Sequence, residues 1–342
     1  MKKNFLELLL LTFSLHLFCG ARPGPIRDEA ARRWLEESIL SVELGRTVEM
    51  VPRAGESGTA GGDVPGTNED AEETKECAAP EAADEPISPA TAVPRTISFS
   101  RETFTNRTSL SPDVDRLRRE PLPQSLPADS PQILILHTHA TEAYTPTEGW
   151  EYTESDTYRT TDCGANVVRV GDELAAELTR MGLRVIHDRE LYDYPDYSVS
   201  YARSAAAVEQ WLALYPGIGV VIDLHRDALG EGDIVYKTRA ETEEGDAAQV
   251  MLLVGTGENG LPHPRWQDNF ALSLKMQDAM FGRCPALPRP IELVAERYNQ
   301  HYTTGSLILE VGSCGNTMPE ALRAIRAFAR STAPVLLSLV EG

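Results

Sequence analysis

The stretch His137-Thr138-His139-Ala140-Thr141-Glu142 places two imidazoles and a carboxylate within six residues, directly after an apolar run at 133–136. Two other apolar runs stop in a similar way: 220–224 runs into His225, and 307–309 runs into Glu310. Neutral imidazole and carboxylate oxygen are both zinc ligands, and a catalytic zinc takes three protein groups while leaving one position for water. An extended backbone points two histidines two apart to one side, and a turn after His139 would bring the Glu142 carboxylate back toward them. His225 offers a distant third or fourth ligand. An unpaired carboxylate in a buried strand is expensive. Glu310 is therefore either ion-paired, with an arginine such as Arg226 or Arg297, or placed at a site as a general base and acid.

The elements that would position these residues are legible from 131 onward. Short apolar runs at 133–136, 183–186, 220–224, 250–255, 291–295 and 307–311 read as buried strands. Helical stretches separate them. Val167, Val170, Leu174, Leu178 and Met181 follow steps of three and four and define one buried stripe that Gly182 stops. Further helices are expected over 201–215, 266–281 and 319–339, the last kinked or split at Pro334, with a hairpin-like insertion at 234–239. Strands alternating with helices imply an α/β fold, a mostly parallel central sheet flanked by helices. Ligands gather at the carboxyl ends of strands in such sheets, so distant residues can converge on one crevice.

The region before this domain differs in kind. Lys2 and Lys3 precede a Leu- and Phe-rich stretch at 5–18 and the small residues Cys19-Gly20-Ala21, which reads as a signal peptide or membrane anchor over 1–21. Phe18 is bulky where a lipoprotein signal wants a small residue. Residues 22–131 read as a flexible, acidic, Pro- and Gly-rich linker, with a short helix allowed at 28–46; such a composition buries too little surface to offset its conformational entropy. A disordered chain of about 90 residues reaches on the order of 50 Å. The expected location is outside the cytoplasm, with the membrane contacted through the N-terminal segment if it stays uncleaved. The 342 residues carry a formal net charge of −20 and no cluster of Lys and Arg with interleaved aromatics, which excludes a phosphate-backbone nucleic-acid binder. No Cys-x-x-Cys zinc knuckle, Gly-x-Ser-x-Gly elbow or phosphate loop occurs. Cys163, Cys284 and Cys314 fall in the domain without an assignable pairing.

Five segments, "ILILHTHATEAYTP", "YRTTDCGANVVRVGDELAAEL", "VVIDLHRDAL", "MLLVGTGENGLPHPRWQDNFALSLKMQ" and "GSLILEVGSCGNTMPEALRA", occur in that order between about 132 and 340. They resemble the stage II sporulation protein P family of endospore-forming bacteria. The resemblance implies a fold similar to the zinc-dependent N-acetylmuramoyl-L-alanine amidases and a membrane-anchored peptidoglycan hydrolase. Such an enzyme cuts the muramoyl–L-alanine amide and also peptide cross-links. It implies stage II sporulation proteins D and M as partners in thinning septal wall and in engulfment of the forespore. By this resemblance the zinc-ligand set comes from His137, His139, Glu142 and His225, and Glu310 is the catalytic glutamate. His139, Glu142 and His225 are the favoured ligands, with His137 beside them or exchanged with His139, and Glu151 and Glu154 as more distant acidic substitutes. Arg226, Tyr144 and Asn316 are candidate substrate contacts, and Tyr158 and Arg159 candidate groove residues; His187 and His263 read as structural. The alternative is a wall-binding scaffold that keeps the fold without turnover.

Overall fold

The computed structural model describes residues 93–231 and 234–341. The expected signal or anchor at 1–21, the helix at 28–46 and most of the linker lie outside the described residues. Among the described residues, seven strands form the main sheet in the order β2 (Phe104–Asn106), β11 (Ile291–Val294), β10 (Val250–Gly255), β12 (Gly305–Ser313), β5 (Val220–Asp227), β3 (Ile133–Leu136), β4 (Val185–His187). Every neighbouring pair is parallel except β10 with β12. A small sheet beside it joins β1 (Arg95–Ile97), β7 (Ile234–Thr238) and β6 (Gly230–Glu231), and β8 (Ala240–Thr242) pairs with β9 (Gly245–Ala247).

Alternation along the strands sorts side chains between two faces. Ile133, Ile135, Val220, Ile222, Leu224, Leu307, Leu309 and Val311 enter the large core. Helices α2 (Val167–Arg180), α4 (Trp266–Arg283) and α5 (Met318–Leu337) cover that side. The predicted stripe on α2 is realised: Val167, Val170, Leu174 and Leu178 are all buried, and Asn166 caps the helix by accepting the Val168 N–H. On the other face Leu134, Leu136, Ile186 and Val221 pack against Val208 and Trp211 of α3 (Ser200–Leu214). Helix α5 opens with a capping box between Thr317 and Glu320. It runs on through Pro334 to Leu337 as one helix, because that residue sits in the last turn, where one backbone donor is lost.

The folded part begins earlier than the expected boundary at 132. Strand β1 pairs with β7, and β2 adds to the edge of the main sheet beside β11. Phe104 meets Phe270 edge-on at 5.3 Å, and α1 (Val114–Arg119) holds α4 through the Arg118–Asp278 ion pair. Three-residue strands carry no readable period. Their pairing is set by edges that the rest of the domain supplies.

Candidate metal centre

Strands β5 and β12 lie side by side with His225 opposite Glu310 in register. Since Leu224 and Leu309 point into the large core, alternation turns Asp223, His225 and Glu310 to the other face, at the carboxyl ends of their strands. A bulge follows Glu310, where Gly312 takes φ +67°. A Cβ there would also lie 2.7 Å from Asn316 Oδ1.

His139 arrives by a different route. Strand β3 stops at Leu136, and residues 138–141 form a turn in which the Glu142 N–H donates to the His139 carbonyl at 3.1 Å. Asp193 fixes this turn by accepting the Thr141 hydroxyl at 2.5 Å and Arg159 Nη1 at 2.8 Å. The turn carries His139 into the crevice. Its ring stacks on Tyr197 at 4.6 Å and stands nearly perpendicular to the His225 ring at 5.0 Å.

One donor atom from each of His139, Glu142 and His225 can be chosen so that all lie within 4.8 Å of one another. Glu142 sits between the imidazoles, with Oε1 3.7 Å from His139 Nδ1 and Oε2 3.3 Å from His225 Nδ1. Its Oε2 also accepts the Arg226 N–H at 3.1 Å, and Arg159 Nη2 is 3.6 Å from Oε1. Behind His225, Nε2 lies 2.9 Å from Asp223 Oδ1, a close charge contact in which the oxygen sits off the N–H axis.

The electrostatics follow from burial and these neighbours. Burial and the facing His225 push His139 down to about 4, so it is neutral, as a ligand must be. Burial alone would raise Glu142, but Arg226 and His225 hold it well below the usual carboxylate range. Burial alone would lower His225, yet Asp223 and Glu142 on either side hold it well above its ordinary value. Burial raises Glu310 to about 8, with Glu142 and Asp227 adding to the rise and His225 opposing it. The residues fit a metal ion: among the described residues His139 Nε2 and Glu310 Oε2 are buried without hydrogen-bond partners, and His225 Nδ1 lies 3.3 Å from a Glu142 oxygen that would share the ion. His139, Glu142 and His225 would hold it.

His137 does not join this group. Its ring stays on the core side, where Nδ1 lies 2.8 Å from the Leu224 carbonyl and Nε2 lies 2.8 Å from His187 Nε2. His187 Nδ1 continues the chain to Asp172 at 3.1 Å. Both nitrogens of His137 are therefore committed elsewhere, which corrects the four-residue ligand set. The reason is that the extended backbone ends one residue before His137, so the two rings diverge. His187 has a specific partner that sequence spacing did not reveal.

The three candidate substrate contacts also serve other ends. Arg226 is buried, donating from Nε to the Ala143 carbonyl and from Nη2 to the Tyr158 carbonyl, both at 3.0 Å. Tyr144 is 1% exposed and its hydroxyl donates to the Val311 carbonyl. Asn316 is fully buried and ties Thr238, Ser313 and Glu320 together. All three are buried and committed to internal hydrogen bonds, and Arg226 Nη1 also lies 3.9 Å from Glu142 Oε1. Arg159 does reach the centre, lying over the Tyr197 ring at 4.8 Å as well as beside Glu142. Tyr197, Asp193 and Asp223 were not singled out in the sequence. Only Asp223 carried a signal, an acid inside an apolar run two residues before His225. Cys163, Cys284 and Cys314 are free thiols.

Fold and site together define an α/β domain that gathers imidazole and carboxylate groups at strand ends, with the further buried carboxyl of Glu310 on the strand beside His225. The family model for Stage II sporulation protein P (SpoIIP) matches residues 46–333, and the chain belongs to that family. Stage II sporulation protein P of Bacillus subtilis (strain 168) is 27% identical over 226 residues, 63% of this chain and 53% of that protein. The chain thus spans about half the length of this curated relative. Solved structures similar to it include the CwlD amidase of Clostridioides difficile in complex with the GerS lipoprotein. That likeness is at 13% identity and TM-score 0.38, covering 60% of this chain and 98% of that one. Another is the N-acetylmuramyl-L-alanine amidase Ami1 of Mycobacterium smegmatis, at 13% identity and TM-score 0.37, covering 61% and 98%.

Proposed function

We propose that this protein is a zinc-dependent peptidoglycan hydrolase of sporulation that cleaves the amide between the muramic acid lactyl group and the first L-alanine of the stem peptide. The observation that carries this reading is the convergence of His139, Glu142 and His225 donors within 4.8 Å, with Glu310 opposite His225 in register. Membership of the sporulation protein P family supports the substrate class.

The chemistry supplied by a bound zinc ion is polarisation of the scissile carbonyl and acidification of a water molecule. Glu310 handles the proton. A carboxyl whose proton affinity lies near neutrality takes a proton from water and returns it to the leaving nitrogen. Arg226 and Arg159 keep the Glu142 carboxylate ionised and oriented. Tyr197 covers one face of His139 and limits the ring's freedom. Cleavage of peptide cross-links, action in septal wall thinning and engulfment, association with stage II sporulation proteins D and M, and retention at the membrane through 1–21 complete the proposal.

Incubating the zinc-loaded full chain with purified peptidoglycan and identifying the soluble products by mass spectrometry tests it. Free stem peptides beginning with L-alanine are expected. Products cut only within the peptides would replace the amidase by an endopeptidase, and wall binding with nothing released would favour the scaffold.

A further inference from the structure

Resting on the reading of the centre as a zinc site, we propose that Asp223 is the positioning residue for both histidine ligands. It would hold His225 with the proton on Nε2, so that Nδ1 is the metal donor, and through Thr138 it would hold the turn that delivers His139.

The argument begins with the two oxygens of one buried carboxylate. Asp223 is 8% exposed. Its Oδ1 accepts the Thr138 N–H at 2.7 Å and its Oδ2 accepts the Thr138 hydroxyl at 2.6 Å. Thr138 directly precedes His139, and its hydroxyl is also 2.8 Å from Ser204 Oγ on α3. Ser204 Oγ accepts in turn from Asn299 Nδ2 at 3.0 Å. The turn is thus fastened to β5, to α3 and to the loop after β11 at the residue beside the ligand. The same Oδ1 lies 2.9 Å from His225 Nε2, two residues along β5 on the same face.

With both oxygens held by Thr138, Asp223 is spent as an orienting group and is not itself a ligand. A negative oxygen at that distance favours a proton on Nε2 over a lone pair. The other nitrogen, Nδ1, then keeps its lone pair on the side where Glu142 Oε2 lies 3.3 Å away. A carboxylate behind a metal-binding imidazole sets both tautomer and ring orientation, and its loss lowers metal affinity by about 10–100-fold.

Asp223→Asn separates orientation by charge from mere packing. The amide keeps the shape, its oxygen can accept the Thr138 N–H and still face His225 Nε2 without the full negative charge, and its NH2 can donate to the Thr138 hydroxyl. The full chain and this variant are titrated with zinc against a chelating dye, with no substrate present. The expected result is zinc affinity lower by about 10–100-fold in the variant with an unchanged far-ultraviolet circular dichroism spectrum. Equal affinity in the two proteins overturns the role of Asp223 and leaves the metal reading intact. Failure of the wild-type chain to bind zinc removes the metal reading itself. Nitrogen-15 NMR of the zinc-loaded wild-type chain decides independently of any variant. A His225 proton on Nε2 with the ion on Nδ1 is expected, and the reverse arrangement overturns the proposal.

Discussion

Gly171→Ala sets two physical effects of opposite sign against each other inside α2. Alanine at a helix interior is favoured over glycine by about 1 kcal/mol, so propensity alone predicts stabilisation. The structure predicts the reverse. A Cβ on residue 171 would lie 2.5 Å from His187 Nε2 and 2.6 Å from His137 Nε2, the two nitrogens that face each other at 2.8 Å. Both rings are buried, and His137 is also bound to the Leu224 carbonyl, so neither can retreat into solvent. Overpacking of this kind costs about 1–3 kcal/mol, and separating a buried hydrogen-bonded pair adds about 1–3 kcal/mol. Set against the propensity gain, the net loss is about 1–5 kcal/mol. At about 2–4 °C per kcal/mol for a domain of this size, the midpoint should fall by roughly 2–20 °C. Urea and thermal denaturation of the full chain measure it. An unchanged or raised midpoint would refute the claim that the imidazoles meet at the surface of α2.

Other outcomes follow from the same geometry. Burial and the facing His187 hold His137 down to about 3, and burial holds His263 down to about 4. The unfolded histidines take up protons near pH 6.5, where the folded ones do not, so stability should fall as pH drops from about 6.5 toward 3–4; a midpoint flat across that window contradicts this. Arg226→Lys leaves the buried Ala143 and Tyr158 carbonyls without their forked donor and should lower stability by about 2–4 kcal/mol in denaturation. KM should stay near the wild-type value, whereas a rise in KM at unchanged stability would restore Arg226 as a substrate contact. Glu310→Gln should lower kcat by about 100-fold or more while zinc content, read by metal analysis, stays the same; retained turnover would remove Glu310 from proton transfer.

Much of the domain was legible because its strands are continuous apolar runs and α2 carries a clear stripe. The carboxyl-end placement of His225 and Glu310 followed from those runs, and the structure puts them on adjacent strands in register. What sequence spacing could not decide was where β3 ends. An extended His137-x-His139 would share one side, and a strand ending at Leu136 sends one ring to the core and the other to the crevice. The short strands β1 and β2 escaped because three residues among Pro and charged neighbours carry no period. Arg226, Tyr144 and Asn316 looked like groove residues by type and position, and their contacts with buried backbone carbonyls and amides depend on long-range packing that no local pattern encodes.

The most direct test of the metal centre is an anomalous difference map at the zinc edge from crystals of the zinc-loaded protein. The account predicts one peak about 2.0–2.2 Å from a nitrogen of His139, an oxygen of Glu142 and Nδ1 of His225, with His137 still bonded to His187. A peak at His137 and His187, or none near His139 and His225, would contradict it.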